Sequence, residues 1–178
     1  MRNVKHTRLA NRFVFMRYIL LALFASTLVS GCYTFKGFSI DPELTTFRIA
    51  QFNNTTFNSP PNINQTFTEA LKRKISRESR LVLDESNPDI QFDGTITRYN
   101  VSSVSPSPGE FTALQRLTIT VNIEYTNFSD EEDKWQQPFS FFADFPPEDQ
   151  LIDRQDELIA IIFDQILEDI FNKAFTNW

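Results

Sequence analysis

The stretch that decides the fold reads Leu-Thr-Ile-Thr-Val-Asn-Ile-Glu-Tyr-Thr, residues 117–126. Apolar and polar side chains alternate through it without a break, and a strict period of two is typical of a strand with one buried face. The other face of such a strand carries polar residues and can meet water. The stretch therefore predicts a strand in a sheet that is covered by an apolar layer on one side only.

Four more segments predict strands around this one. Residues 45–50, 90–99 and 135–145 each place apolar residues on one face by alternation, and residues 81–83 form a short apolar run. The segment 53–62, with two prolines, and the serine- and proline-rich segment 101–109 are interpreted as loops. Long loops of this kind often carry the contacts with partners.

Two segments predict helices. In residues 63–80, Phe67, Leu71 and Ile75 form an apolar row with a spacing of four. The segment 151–177 carries two adjacent rows with the same spacing, after an entry at 146–149 that begins with two prolines and continues with acids. A spacing of four overshoots one turn by roughly 40°, so the apolar stripe winds around the helix and suits packing across a twisted sheet.

These elements predict an α+β fold with the order β-α-β-β-β-β-α. We expect a two-layer sandwich, with a mainly antiparallel sheet of four or five strands and both helices on one face. The opposite face of the sheet is expected to be polar. Its predicted members are Thr95, Thr97, Tyr99, Thr118, Thr120, Asn122 and Ser140.

The N-terminus has the layout of an export signal. Residues 1–31 hold five basic and no acidic residues. A short apolar run follows the last basic residue within this segment, and small residues then precede the only cysteine, Cys32. This pattern resembles a bacterial lipobox and predicts a signal peptide over 1–31, a lipidated tether over 32–43 and a single domain over 44–178. Lipidation at Cys32 would anchor the chain on the outer membrane, since no Asp follows the cysteine. The alternative is an ordinary secretory signal.

The charge balance and the residue types of the predicted domain argue against several classes of function. Five of the 17 basic residues lie in 1–31, so the remaining chain holds 12 against 23 acidic residues, a formal charge of −11. Such a balance argues against nucleic acid as a partner. The only histidine, His6, lies in the signal, so the domain offers neither imidazole nor thiol for triads or zinc sites. We therefore expect no cofactor, no metal and no enzymatic activity.

Basic residues concentrate on the first predicted helix, where Lys72, Arg73 and Arg77 accompany Lys74 and Arg80. They fit a solvated helix face with cations near the C-terminus, where the helix dipole favours them. They also fit a cationic patch that faces lipid phosphates or an acidic partner. Both interpretations are consistent with the sequence.

Several local strings resemble the LptE-like lipopolysaccharide-assembly lipoproteins: residues 32–35, 65–71, 116–121, 168–174 and 177–178. This resemblance implies a lipoprotein at the periplasmic face of the outer membrane that plugs an LptD-type β-barrel and helps to insert lipopolysaccharide. For lipopolysaccharide contact the candidates are Arg98 and Arg116, in neighbouring predicted strands, and Lys72, Arg73 and Arg77.

Two other functions remain open at this point. A lipid-anchored periplasmic adaptor of another envelope complex, such as an activator of a cell-wall synthase, can share a small α+β fold. The short tether favours a partner at the membrane itself. A hydrolase that uses Asp93 and Glu124 as paired carboxylates is the other alternative, although no paired-acid motif marks it.

Overall fold

The computed structural model describes residues 40–105 and 113–176 of the 178-residue chain. Six strands and two helices follow one another in this part of the chain. They are β1 (Thr46–Ile49), β2 (Asn53–Asn54), α1 (Ile63–Glu78), β3 (Val82–Leu83), β4 (Ile90–Val104), β5 (Leu114–Asn127), β6 (Lys134–Phe145) and α2 (Leu151–Phe175).

The strands form one mixed sheet in the order β3-β1-β4-β5-β6, with β2 also paired to β4. β4, β5 and β6 are antiparallel, whereas β1 runs parallel to both β3 and β4. β1, α1 and β3 form a βαβ unit. The helix carries the chain back along the sheet, so β3 runs parallel to β1. The predicted α+β fold is thus confirmed, with mixed pairing and with β2 as an additional short strand.

Both helices cover the same face of the sheet, as predicted. α1 buries Ile63, Phe67, Leu71 and Ile75, and α2 buries nine apolar residues along its winding stripe. The two helices meet through the rings of Phe67 and Phe163, whose centroids are 4.9 Å apart in an edge-on arrangement. All these side chains belong to one core with the inward-facing residues of the strands.

A β-bulge in β4 corrects the predicted outer face. Ile96 lies opposite Val121, but Arg98 lies opposite Thr120, so Thr97 is an extra residue without a cross-strand partner. An extra residue reverses the alternation beyond it. Tyr99 was predicted on the polar face, and that prediction is wrong: Tyr99 is buried in the core, opposite Ile119.

Other boundaries also differ from the predictions. The segment 53–62 was predicted as a loop, but its first two residues form β2, paired in parallel with Thr95 and Ile96. β4 continues to Val104, into the segment predicted as a connection, because β5 pairs with it along its full length. Residues 106–112, in the rest of that connection, lie outside the described residues, and so does Asn177 at the predicted end of the second helix.

Gly94 of β4 lies against Phe52, the residue between β1 and β2, and only glycine fits at this position. A Cβ at this position would come within 2.5 Å of the Phe52 ring and would also collide with the Asn122 carbonyl oxygen. Phe52 is almost fully buried and lies between the two short strands that pair with β4. The missing side chain of Gly94 therefore lets an aromatic ring fill the core directly against the strand backbone.

Asp89 fixes the start of β1 against the start of β4. Its Oδ2 accepts hydrogen bonds from the N–H groups of Thr45 (2.7 Å) and Thr46 (2.9 Å) and from the Thr45 hydroxyl (2.8 Å). These bonds stabilise the carboxylate form, with the Thr45 N–H as the largest contribution, and lower the pKa of Asp89 to about 2.

The lowered pKa predicts a pH-dependent contribution to stability. An ordinary Asp titrates near pH 4, so the contribution of Asp89 is present above about pH 4 and is lost as the pH falls to about 2. We expect Asp89→Asn to destabilise the protein by about 1 kcal/mol at pH 6, where charge-assisted hydrogen bonds are lost. The difference from wild type should shrink at pH 2.5 in urea unfolding. A difference that stays constant, or one equal to that of the surface control Glu131→Gln, would contradict this role.

The open edge of β6 is interrupted by a proline. The Asn127 N–H donates to the Asp133 carbonyl oxygen (3.2 Å), which places this pair at a hydrogen-bonded position of the ladder. In an antiparallel ladder such pairs alternate, so the residues with even numbers in β6 direct their backbone groups away from β5. Pro138 is one of them and has no N–H to offer to a further strand. It thus protects the long edge strand from pairing with another chain.

Replacing Pro138 tests this protection. Pro138→Thr restores a backbone N–H and a good strand former at the middle of the open edge. We expect the variant to keep the fold and to self-associate at concentrations where the wild type is monodisperse, as measured by light scattering after size exclusion. Gln136→Thr is the matched control, since it introduces the same residue at another open-edge position, where an N–H is already present, and leaves Pro138 in place. Equal behaviour of the two variants would refute the protective role.

Candidate functional site

The outer face of the sheet carries the first candidate residues. β4, β5 and β6 contribute to this face in rows set by their pairing: Arg98, Thr120 and Ser140 in one row, Asn100, Thr118 and Phe142 in the next, and Ser102, Arg116 and Asp144 in the third. The hydroxyls of Thr120 and Ser140 are 3.0 Å apart and form a hydrogen bond. The face is therefore polar, with one exposed aromatic ring.

Arg116 is held in place by two neighbours on β6. Its Nε and Nη2 donate to the two carboxylate oxygens of Asp144 at 2.7 and 2.8 Å, a bidentate pair. Its guanidinium also lies 3.6 Å from the centroid of the Phe142 ring, within the range of a cation–π contact. The hydrogen bonds with Asp144 raise the pKa of Arg116, and those with Arg116 lower the pKa of Asp144. One edge and one face of the guanidinium are thus occupied, and Nη1 makes no hydrogen bond within the described residues.

Arg98 lies on the same face but not beside Arg116. It is opposite Thr120, four residues along β5 from Arg116, which corresponds to about 13 Å of strand. Arg98 is exposed, and it has no ion-pair partner within 40–105 and 113–176. The two arginines are therefore far enough apart to contact a large anionic ligand at two separate points.

The other candidate cations lie on α1, in the layer that covers the opposite face of the sheet. Lys72 pairs with Glu85 at 3.0 Å, and Arg73 approaches Glu69 at 3.9 Å. Arg77 is exposed in the last turn of the helix. These three residues do not share a surface with Arg98 and Arg116, so the five candidates do not form one site.

Acidic residues offset much of the charge on α1. Lys74, whose side chain is only 10% exposed, donates to Glu78 at 2.9 Å and to Glu168 of α2 at 2.5 Å. Burial alone would lower the pKa of Lys74, but the bonds to Glu168 and Glu78 outweigh burial and raise it. Lys74 therefore joins the two helices, and the α1 cluster consists largely of structural ion pairs.

Sequence reasoning missed Phe142 and Asp144, the residues that position Arg116. Both follow Ser140 at a spacing of two on β6, so the alternation that placed Ser140 on the outer face also places them there. Their pairing with Arg116 depends on the register between β5 and β6, which alternation alone does not fix.

Asp93 and Glu124, the candidate acids of a hydrolase, lie directly opposite each other in β4 and β5. Asp93 accepts a hydrogen bond from its own strand neighbour Gln91. The pairing of β4 with β5 therefore brings the two carboxylates together on the outer sheet face, and their proximity needs no catalytic role to explain it.

Cys32, the candidate lipidation residue, lies outside the described residues. Among the residues that the structure describes, neither helix is both long and apolar enough to span a membrane.

A family model for lipopolysaccharide assembly, LptE, matches residues 44–174, which include every strand and nearly all of both helices. The chain belongs to the LptE family. The resemblance inferred from local strings is thereby confirmed, and membership assigns the chain to lipopolysaccharide assembly. No protein of curated function matches the sequence.

Solved structures are similar to this LptE-family chain at low identity. A hypothetical protein from Chlamydia trachomatis aligns with a TM-score of 0.52 at 9% identity, over 75% of this chain and 99% of that one. A minor lipoprotein from Acinetobacter baumannii gives 0.48 at 10% identity, over 73% and 91%. Lipoprotein B from Nitrosomonas europaea gives 0.48 at 13% identity, over 71% and 79%.

Proposed function

We propose that this chain is a non-catalytic outer-membrane lipoprotein that plugs or chaperones an LptD-type β-barrel and assists the insertion of lipopolysaccharide. The observation that carries the proposal is the match of the LptE family model over residues 44–174. We further propose that residues 1–31 are a signal peptide and that Cys32, lipidated, anchors the domain at the periplasmic face of the outer membrane through the tether 32–43.

The polar outer face supports a place inside a barrel. The lumen of a large outer-membrane barrel is polar and hydrated, in contrast to its lipid-facing surface. A sheet face with threonines, asparagines and a paired Arg116–Asp144 is compatible with such a wall, and Arg98 on the same face can stay hydrated in the lumen.

For lipopolysaccharide itself we propose Arg98 as the principal contact, with Arg116 as a second. Arg98 presents a whole guanidinium to solvent, and planar donors of this kind match phosphate oxygens. The alternative set, Lys72, Arg73 and Arg77, is partly engaged with acidic neighbours on the helix layer.

Co-purification tests the partnership with a barrel. The tagged lipoprotein is extracted from its native outer membrane in mild detergent, and the proteins that remain bound are identified by mass spectrometry. We expect one large β-barrel in stoichiometric amount. Recovery of a cell-wall synthase without a barrel would favour the adaptor function instead.

Binding of purified lipopolysaccharide to the detergent-solubilised protein tests the arginine contact. Arg98→Ala should weaken binding about tenfold, because a hydrogen bond to a charged group contributes about 1.5–3 kcal/mol. Arg77→Ala removes the same charge from α1 and is the matched control, expected to bind like wild type. A larger loss for Arg77→Ala than for Arg98→Ala would transfer the binding surface to the helix layer.

A further inference from the structure

A braced loop holds one phenylalanine entirely in solvent. Phe57 is 101% exposed, although the loop around it is tied by side-chain hydrogen bonds. Asn54 donates to the Ser59 hydroxyl (2.8 Å) and accepts from both the N–H (3.0 Å) and the hydroxyl (2.7 Å) of Thr56. β2 in turn attaches this loop to β4. The aromatic ring is thus displayed on a fixed support, and no core contact accounts for it.

The same loop leads into a groove between the two helices. Pro60 lies at one end of the groove, which has a volume of about 480 Å³ and an apolar floor that includes Ile63, Ile159 and Phe163. Ala70 of α1 and Ala160 of α2 line it as well. Their short side chains leave the space that larger residues would fill, so the groove can accept apolar side chains from another molecule.

Acidic residues on one wall of the groove favour a partner with a basic side chain. Asp156 and Asp164 line the α2 side, and neither has an ion-pair partner within residues 40–105 and 113–176. Arg73 on the α1 side has only its 3.9 Å contact with Glu69. An apolar segment with one basic side chain would fit this groove. Its apolar residues would contact the floor, and its basic residue would pair with an aspartate of α2.

We propose that Phe57 and the α1–α2 groove together form the principal docking surface for the barrel, an inference that rests on the proposed function. The groove receives an apolar protein segment whose basic residue faces Asp156 and Asp164, and Phe57 inserts into an apolar pocket of the same partner.

The energetic weight of this surface follows from its composition. Burial of a fully exposed phenylalanine removes a large apolar area from water, and interface energy concentrates in a few aromatic anchors of this kind. The outer sheet face is polar and internally hydrogen-bonded, so contacts there replace water with little net gain. The two layers therefore contribute differently: the helix layer supplies affinity, and the sheet face supplies polar complementarity.

Site-specific photo-crosslinking in the native outer membrane tests this assignment. A benzophenone amino acid is placed at Phe57, at the exposed Thr66 that lines the groove, at Thr118 on the outer sheet face and at Glu131 in the β5–β6 turn. We expect crosslinks to the large barrel from Phe57 and Thr66. Crosslinks to the barrel only from Thr118 or Glu131 would overturn the docking surface and leave the proposed function intact. No crosslink to a barrel from any position would contradict both.

Truncation measures the contribution of the anchor. We expect Phe57→Ala to reduce the barrel recovered with the tagged lipoprotein at least tenfold, and Ala160→Arg to reduce it similarly by filling the groove and opposing the partner's cation. Phe128→Ala is the matched control, since Phe128 is also exposed (56%) but lies where β5 turns towards β6. Phe57 makes no core contact, so its truncation leaves folding unchanged. Equal recovery for the two phenylalanine variants would refute the proposal.

Discussion

The register between β4 and β5 is the constraint on which the rest of the structure depends. These two strands pair along their whole length. β1 and β2 pair with the other edge of β4, β6 pairs with the other edge of β5, and β3 is attached through β1. The bulge at Thr97 divides this ladder into two parts with opposite alternation. It sends Tyr99 into the core and Arg98 to the outer face, so both the core and the candidate site depend on one extra residue.

Most of the fold could be predicted because its signals are local and periodic. The alternation in residues 117–126 and the spacing-four rows on both helices lie within single segments, so the buried faces follow directly. The bulge was not predictable in this way, since an inserted residue looks like any other until the partner strand is known. Pairing also decided what alternation could not: the parallel position of β1 and the contact of Arg116 with Asp144.

The surroundings of the basic residues could not be predicted from the sequence for a related reason. The sequence shows where basic residues are concentrated but not which acids reach them from distant segments. Lys72 and Lys74 on α1 contact Glu85 and Glu168, which lie 13 and 94 residues further along the chain. Arg98, by contrast, stands apart from other charges in the sequence and is exposed on a strand. A cluster of charges on a helix is therefore weaker support for a ligand site than one uncompensated charge on a sheet face.

The two layers also differ in the kind of surface that they expose, which is apolar on the helix layer and polar on the outer sheet face. This chain buries phenylalanines throughout its core, while a hydrogen-bonded loop keeps Phe57 in solvent three residues before Pro60, which lines the apolar groove. An exposed ring of this kind buries no apolar area in the isolated domain and adds nothing to its stability. The arrangement is economical if the ring and the groove are completed by a second protein, because a fixed loop loses little conformational entropy on binding. The helix layer then holds the partner, and the sheet face keeps its polar groups and Arg98 for the lumen and its lipid.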